Sequence, residues 1–387
     1  MPDILRRINT NKVIDLTREL VRIPSENPPG NENKISEFIK EQLTKIGIPT
    51  KILEFSKRRP SVIGIISNDN KSKSLIFNGH TDTVPVGDYS LWKHEPYEAN
   101  IEGGRIYGRG ASDMKGGLAA MLIAAEALIE TGVNGRLVLE FVADEEVTGY
   151  GTKDLLERGY KAEYAIIGEP TELKVQIAHK GVMNLRFIVK GKSAHASMPQ
   201  TGVNAICKAS KLCLTLQDLQ TQLSNQRHPL LGEPTLNVGV IKGGVKSNVV
   251  PDYCELIVER RLIPGETKTQ ALHEVDKVLN KLHNGDPSFN ANYEVLHYAE
   301  PSETPLESSL VKVARECVKE VTGSDFGASG FPATCDMRFF VNQGRIPSII
   351  LGPGSLHQAH AADEYIEIDQ VVKAAQIYTL IALKLLT

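Results

Sequence analysis

No stretch of the 387-residue sequence approaches the ~20 consecutive apolar residues that a membrane span needs. The opening segment, "MPDILRRINTNKVIDLTREL", also lacks the continuous apolar core of a secretion signal, so a cytoplasmic protein with no membrane partner is expected. Cysteines are few. Cys207, Cys213, Cys254, Cys317 and Cys335 form no CxxC pair, which argues against a disulfide framework or a thiolate zinc site and reads as a set of reduced, mostly buried thiols. Surplus charge is missing too. The 44 basic and 47 acidic residues leave a net charge of −3, and no basic face for nucleic acid or an anionic surface stands out. Repeats and low-complexity tracts are absent. What is present is an ordinary globular composition, 41% hydrophobic and 24% charged, too apolar for disorder. The length exceeds what one core usually organises, so two domains, or one with a large insertion, and a small-molecule partner are expected.

Four short apolar runs are each followed by acidic or histidine residues: "SLIFNGHTD" (74–82), "RLVLEFVADEE" (136–146), "YAIIGEP" (164–170) and "SIILGPGSLHQAH" (348–360). Continuous Ile, Leu, Val and Phe runs of this length suit strands buried on both faces, the mark of an α/β layer. The Ala- and Leu-rich segment 116–131 predicts a helix buried against that sheet. In open α/β sheets ligand chemistry gathers beyond the carboxyl ends of the strands, where these polar residues fall. The middle of the chain differs. In "GVMNLRFIVKG" (181–191), Met183, Leu185, Phe187 and Val189 alternate with more polar neighbours. Helical stretches over about 203–223 and 267–283 and strand-like segments at 234–241, 253–263 and 292–298 complete a β-α-β-β-α-β order. That order predicts a ferredoxin-like α+β unit, an insertion of residues 179–297 into a catalytic domain made of 1–178 and 298–387.

Taken singly, the polar residues at the strand ends have plain readings. His80 and Asp82 in "GHTD" could belong to a satisfied turn, Asp113 in "GRGASDMKGG" to a helix cap, and Glu145–Glu146 to a solvated acidic turn. Glu169 in "IGEPT" and His360 in "HQAHAADEY" could likewise be incidental. Jointly they converge on one sheet edge. Histidine and carboxylate donors without cysteine suit an open catalytic metal pair in which a shared carboxylate bridges two ions.

The segments "GHTDTVPVGD", "YGRGASDMKGGLAAML", "VADEE", "IGEPT", "HKG", "GKSAHASMPQTGVNAI" and "GPGSLHQAHAADEY" resemble the acetylornithine deacetylase, succinyl-diaminopimelate desuccinylase and carboxypeptidase G family of dinuclear zinc hydrolases. They occur in the family's order and cover nearly the whole chain. The resemblance implies a zinc-exopeptidase-like catalytic domain, a mixed sheet flanked by helices, with the inserted unit as lid and dimerisation domain of a homodimer. It implies two Zn2+ per subunit, replaceable by Co2+, with Asp113 bridging, His80 and Glu169 on one ion, and Glu146 and His360 on the other. Glu145 becomes the general base and Asp82 the carboxylate behind His80. His195 in "GKSAHASMP" becomes a donor to the reaction's oxyanion in the partner subunit's site, and Arg261 and Asn248 hold the substrate's carboxylate. Asp336 and Arg338 take a supporting role, and a cis peptide is implied at Asp113–Met114.

The implied activity is hydrolysis of the amide of a small N-acyl amino acid. The segments around Glu169 and His360 lean toward the acetylornithine branch, the Asp113 segment toward the desuccinylase branch. N-acetylornithine is the expected substrate, with succinyl-diaminopimelate, a dipeptide or another N-acyl amino acid as alternatives. A non-catalytic metal- or peptide-binding protein on the same scaffold is the reading from a different class, and retention of Glu145 argues against it, because binding metal requires no base. A mononuclear enzyme is a further alternative. Ala362 stands where relatives often carry proline, which should soften the loop behind His360.

Overall fold

The four apolar runs are strands in the computed structural model, which describes residues 3–67 and 73–386. Arg136–Val142, Ser74–His80, Tyr164–Ile167 and Ser348–Ile350 lie side by side in that order, all parallel. Their residues are almost wholly buried, as mainly apolar runs require when helices cover both faces of a parallel sheet, and the buried polar pair inside them, Asn78 and Glu140, hydrogen-bonds at 3.2 Å. Antiparallel strands Arg59–Ser67 and Thr50–Ser56 extend one edge and Val175–His179 the other, giving a mixed sheet.

Parallel strands place their carboxyl ends on one edge, and several features tighten it. The helix Gly116–Thr131 is buried from its first residue through Leu128 except at Glu126, and packs on the C-terminal helix Ile368–Leu386. A Cβ on Gly117 would lie 2.5 Å from the carbonyl oxygen of Gly168, and one on Gly352 2.3 Å from the same atom. The end of the strand Tyr164–Ile167 is therefore clasped at a distance only glycine permits. A small sheet of Asn100–Glu102, Arg105–Tyr107 and Tyr365–Glu367 lies beside this edge in sequence, just before Asp113 and just after His360.

This sheet belongs to a unit drawn from residues up to Ile177, from Thr304–Ser329 and from Cys335 onward; the second unit is Ala178–Glu303 with Gly330–Thr334. The second unit runs a few residues past the 179–297 read from the sequence. Ser302 and Glu303 pair antiparallel with His179 and Ala178, so the segments that enter and leave the unit are zipped together.

Inside the second unit the order is strand Gly181–Lys190, helix Ala205–Leu223, strands Thr235–Gly243 and Tyr253–Leu262, helix Lys268–Gly285 and strand Asn290–Ala299. The four strands form a separate antiparallel sheet, with Gly181–Lys190 between Tyr253–Leu262 and Asn290–Ala299 and Thr235–Gly243 at one edge. This is the ferredoxin-like arrangement. Met183, Leu185, Phe187 and Val189 are fully buried against Ala209, Leu212 and Leu216 of the first helix and Ala271 and Val275 of the second. The period-2 pattern of one element meets the helical pattern of the others. Asn204 caps the first helix by accepting from the Cys207 N–H, and Thr267 and Gln270 form a capping box at the second. Among the described residues no helix is long and apolar enough to cross a membrane.

Candidate metal centre

Each central strand delivers a polar side chain to the shared edge. His80 is the last residue of its strand, Glu145 and Glu146 follow Val142, and Glu169 follows Ile167. His360 arrives on the loop after Ile350, and Asp113 on the turn before the buried helix. The structure brings these together as two overlapping groups of donors, His80–Asp113–Glu169 and Asp113–Glu146–His360, with the donor atoms of each group within 4.8 Å of one another. Asp113 faces both histidines: its Oδ1 is 3.0 Å from His80 Nε2 and its Oδ2 3.5 Å from His360 Nε2. Glu169 lies 3.9 Å from His80 Nε2 and Glu146 3.2 Å from His360 Nε2. The Asp113–Met114 peptide is cis. His357 joins neither group among the described residues.

His80 Nδ1 is 2.9 Å from the main-chain carbonyl of Asp82 and 3.7 Å from its Oδ1, so the backbone, rather than the carboxylate, is the nearer partner. With Nδ1–H donated to that carbonyl, the Nε2 lone pair faces Asp113 and Glu169, the orientation of a metal-binding imidazole. The Asp82 carboxylate does something else besides. Its Oδ1 accepts from the backbone N–H of Glu145 at 3.1 Å, and its Oδ2 from that of Glu146 at 3.2 Å and from Asn27 Nδ2 at 2.8 Å. Asp82 thereby fixes the turn that carries both glutamates.

The electrostatics are those of crowded carboxyls. Burial, then the charge of Glu169, pushes Glu145 well above the usual carboxylate range. Burial and the charge of Asp113 raise Glu146 and Glu169 as well. Burial also works to raise Asp113, but its hydrogen bond to His80 and the charges of His80 and His360 outweigh that and hold it low. Burial would depress His80, yet Asp113 and Glu169 lift it well above its ordinary value. Adjacent carboxyls held this way need positive charge. Oε1 of Glu146 is buried with no hydrogen-bond partner, and all the donors are imidazole nitrogen or carboxylate oxygen. Such a set fits divalent zinc, cobalt or manganese in an open site better than a closed structural one.

Sequence reasoning gave no role to Asn27, Arg59 and Lys115, which brace this edge, and only a supporting one to Asp336 and Arg338. Asn27 also donates to Asp144 at 3.1 Å, and the Arg59 guanidinium holds Asp144 at 2.6 Å and the fully buried Glu32 at 3.0 Å. Lys115, buried, donates to the Ile23 carbonyl at 2.7 Å, and burial lowers its pKa to about 7. Asp336 accepts from Thr152 at 2.6 Å and Arg338 donates to the Thr148 carbonyl at 3.0 Å, so both stabilise the segment following Glu146. Asn27 sits in "SENPPG", and Glu364, which accepts from the Asp113 N–H, in "HQAHAADEY"; these were the available signals.

Three further residues lie in the second unit. His195 is exposed; its Nδ1 accepts the Ser197 N–H at 3.1 Å, which leaves Nε2 to carry the ring's N–H. The loop of Asn248 pairs with that of His195, the Ala196 N–H donating to the Asn248 carbonyl at 3.1 Å. Arg261 keeps a side-chain exposure of 31% and binds Glu259 at 2.7 Å, whereas Arg260, on the opposite face of its strand, is buried with Glu266 and Glu274.

A family model described as Peptidase family M20/M25/M40 matches residues 76–384. The N-formyl-4-amino-5-aminomethyl-2-methylpyrimidine deformylase of Bacillus subtilis (strain 168) is 29% identical over 95% of this chain and 92% of its own length. A probable succinyl-diaminopimelate desuccinylase of Staphylococcus epidermidis is 28% identical over 94% and 95%. In fold, the chain is similar to the M20 family metallo-carboxypeptidase of Sulfolobus solfataricus, with a TM-score of 0.81 and 24% identity over 96% of this chain and 98% of that one. The first two relatives are named for formyl and succinyl compounds, not for acetylornithine.

Proposed function

We propose, for this chain, which belongs to peptidase family M20/M25/M40 and so to a family of metal-dependent amide hydrolases, that it removes a small acyl group from an N-acylated amine with two Zn2+ per subunit. The observation that supports this most is the sharing of Asp113 between two donor groups, with Glu145 on the adjoining turn. His80, Asp113 and Glu169 would hold one ion and Asp113, Glu146 and His360 the other; Co2+ can take the same donors. Such a pair supplies, when bound, a nucleophilic hydroxide at neutral pH and a polarised carbonyl. Glu145 takes the proton of the attacking water and returns it to the departing nitrogen, which leaves poorly as an anion. Asp82 holds the Glu145 and Glu146 backbone for that transfer. His195, with its N–H on Nε2, is suited to donate to the oxyanion, and Arg261 and Asn248 to hold the substrate's carboxylate, Arg261 exchanging Glu259 for it.

The acyl group is open among acetyl, formyl and succinyl: N-acetylornithine remains a candidate, and the named relatives put succinyl-diaminopimelate and a formylated aminomethylpyrimidine beside it. All five cysteines are free thiols, three of them buried, which suits a reducing cytoplasm. A homodimer through the second unit is supported by its exposed apolar residues Leu214, Ile241 and Val245, the middle one on the edge strand Thr235–Gly243. The test is amine release by zinc- or cobalt-loaded protein from N-acetylornithine, N-succinyl-diaminopimelate, the formylated pyrimidine and simple dipeptides. Turnover of at least one, abolished by Glu145→Ala, is expected; tight metal binding with no turnover of any would favour a binding protein instead.

A further inference from the structure

His360 has the least help from the sheet of all the candidate donors. Its side chain is 53% exposed, its φ is +63°, and it follows a strand that ended at Ile350. The two acids that come next in the chain are tied down instead. Glu364, 1% exposed, uses both carboxylate oxygens: Oε2 accepts from Arg109 Nη1 at 2.7 Å and the Gly110 N–H at 2.9 Å, and Oε1 from the N–H groups of Ser112 at 2.8 Å and Asp113 at 3.0 Å. Asp363 accepts, through Oδ1, from the N–H groups of Lys93 at 2.7 Å and His94 at 3.1 Å. The Glu364 carbonyl accepts from the Gly108 N–H at 2.8 Å. Ser112 Oγ donates to the Ser355 carbonyl and accepts its N–H. Beyond Glu364 the strand Tyr365–Glu367 pairs with Arg105–Tyr107. The loop of the exposed donor and the turn of the shared donor are one hydrogen-bonded body, although some 250 residues separate them in sequence (|i−j| = 251 for Asp113 and Glu364).

We propose that Asp363 and Glu364 are positioning residues that hold His360 against Asp113 and so build the site of the second cation; this rests on the dinuclear reading above. Glu364 reaches one donor through its backbone N–H and another through the chain four residues back, so its loss acts on the geometry between them. The rigidity that Ala362 does not provide comes from these anchors.

The experiment is calorimetric titration of CoCl2 into metal-free wild type, Glu364→Gln and Asp363→Ala, with thermal unfolding of each metal-free protein alongside. Glutamine keeps the shape of Glu364 but presents an NH2 where one oxygen accepted two donors. Wild type should take two equivalents. In Glu364→Gln the first should bind as in wild type and the second about 10- to 100-fold more weakly, the usual cost of losing an outer partner of a ligand; Asp363→Ala should shift the second equivalent in the same direction by less. A second equivalent unchanged in both variants overturns the proposal, whatever the melting temperatures do, because a merely fold-stabilising ion pair would lower only those. Should Glu364→Gln fail to fold, Asp363→Ala decides alone, since Asp363 is partly exposed and serves only a surface loop. Wild type taking fewer than two equivalents would overturn the dinuclear reading itself, a result distinct from variants that retain both.

Discussion

The two halves of the donor cluster are built differently. In the inner half, His80 and Glu169 leave the ends of adjacent parallel strands, with side-chain exposures of 1% and 6%. In the outer half, His360 stands 53% exposed on a loop opposite Glu146 at 7%. The inner half inherits its geometry from the sheet and its glycine clasps, so little is left to organise on binding a cation. The outer half depends on hydrogen bonds between loops, and its His360 faces solvent. On the dinuclear reading proposed above, tight binding would fall to the inner donors and access to reactants to the outer ones, with Asp113 common to both.

Replacing Asp113 by alanine should have the largest effect, because it removes a donor from both halves. Neither equivalent of Co2+ should then bind as in wild type, each loss exceeding the ~10- to 100-fold of an outer-partner change, as read by calorimetry. Glu145→Gln should lower kcat by about 100- to 10,000-fold, the usual range for a general base, while metal content measured by atomic emission stays at the wild-type value; loss of metal would make Glu145 a ligand instead. The contrast between halves is sharpest in the pair His80→Ala and His360→Ala. The first should abolish the tight equivalent and the second only the weak one, and identical titrations for the two would erase the distinction. Asp82→Asn should have the smallest effect, a loss of about 10- to 100-fold in kcat with the tight equivalent retained, since its main-chain carbonyl still orients His80 while its grip on the Glu145 and Glu146 N–H groups is weakened.

Much of the inner half could be read in the sequence for a physical reason. Strands buried on both faces are apolar at most positions, so Leu75, Ile76 and Phe77, or Leu137 to Leu139, declare themselves; the polar residues inside them, Asn78 and Glu140, hydrogen-bond to each other at 3.2 Å, and the candidate donors are the polar residues at and just beyond the strand ends. The second unit was legible for a different reason: Met183 to Val189 alternate because only one face of their sheet is covered by helices. The outer half was less legible. Glu364 and Asp113 meet only through backbone N–H groups, which leave no trace in side-chain pattern. Asp82 was expected behind His80, but the turn it holds lies 63 residues further on, and a carboxylate's choice between a ring and a distant backbone is not written in local spacing. Arg261 was singled out over Arg260 only through the resemblance; in the structure the two differ by strand face, since the helix Lys268–Gly285 supplies Glu274 to the buried Arg260.

Anomalous diffraction at the zinc edge, from crystals grown with Zn2+, tests the proposed two-cation cluster directly. Two peaks roughly 3.5–4 Å apart are expected on either side of the Asp113 carboxylate, one toward His80 and Glu169 and the other toward Glu146 and His360. A single peak, or a pair bound by other side chains, would contradict it.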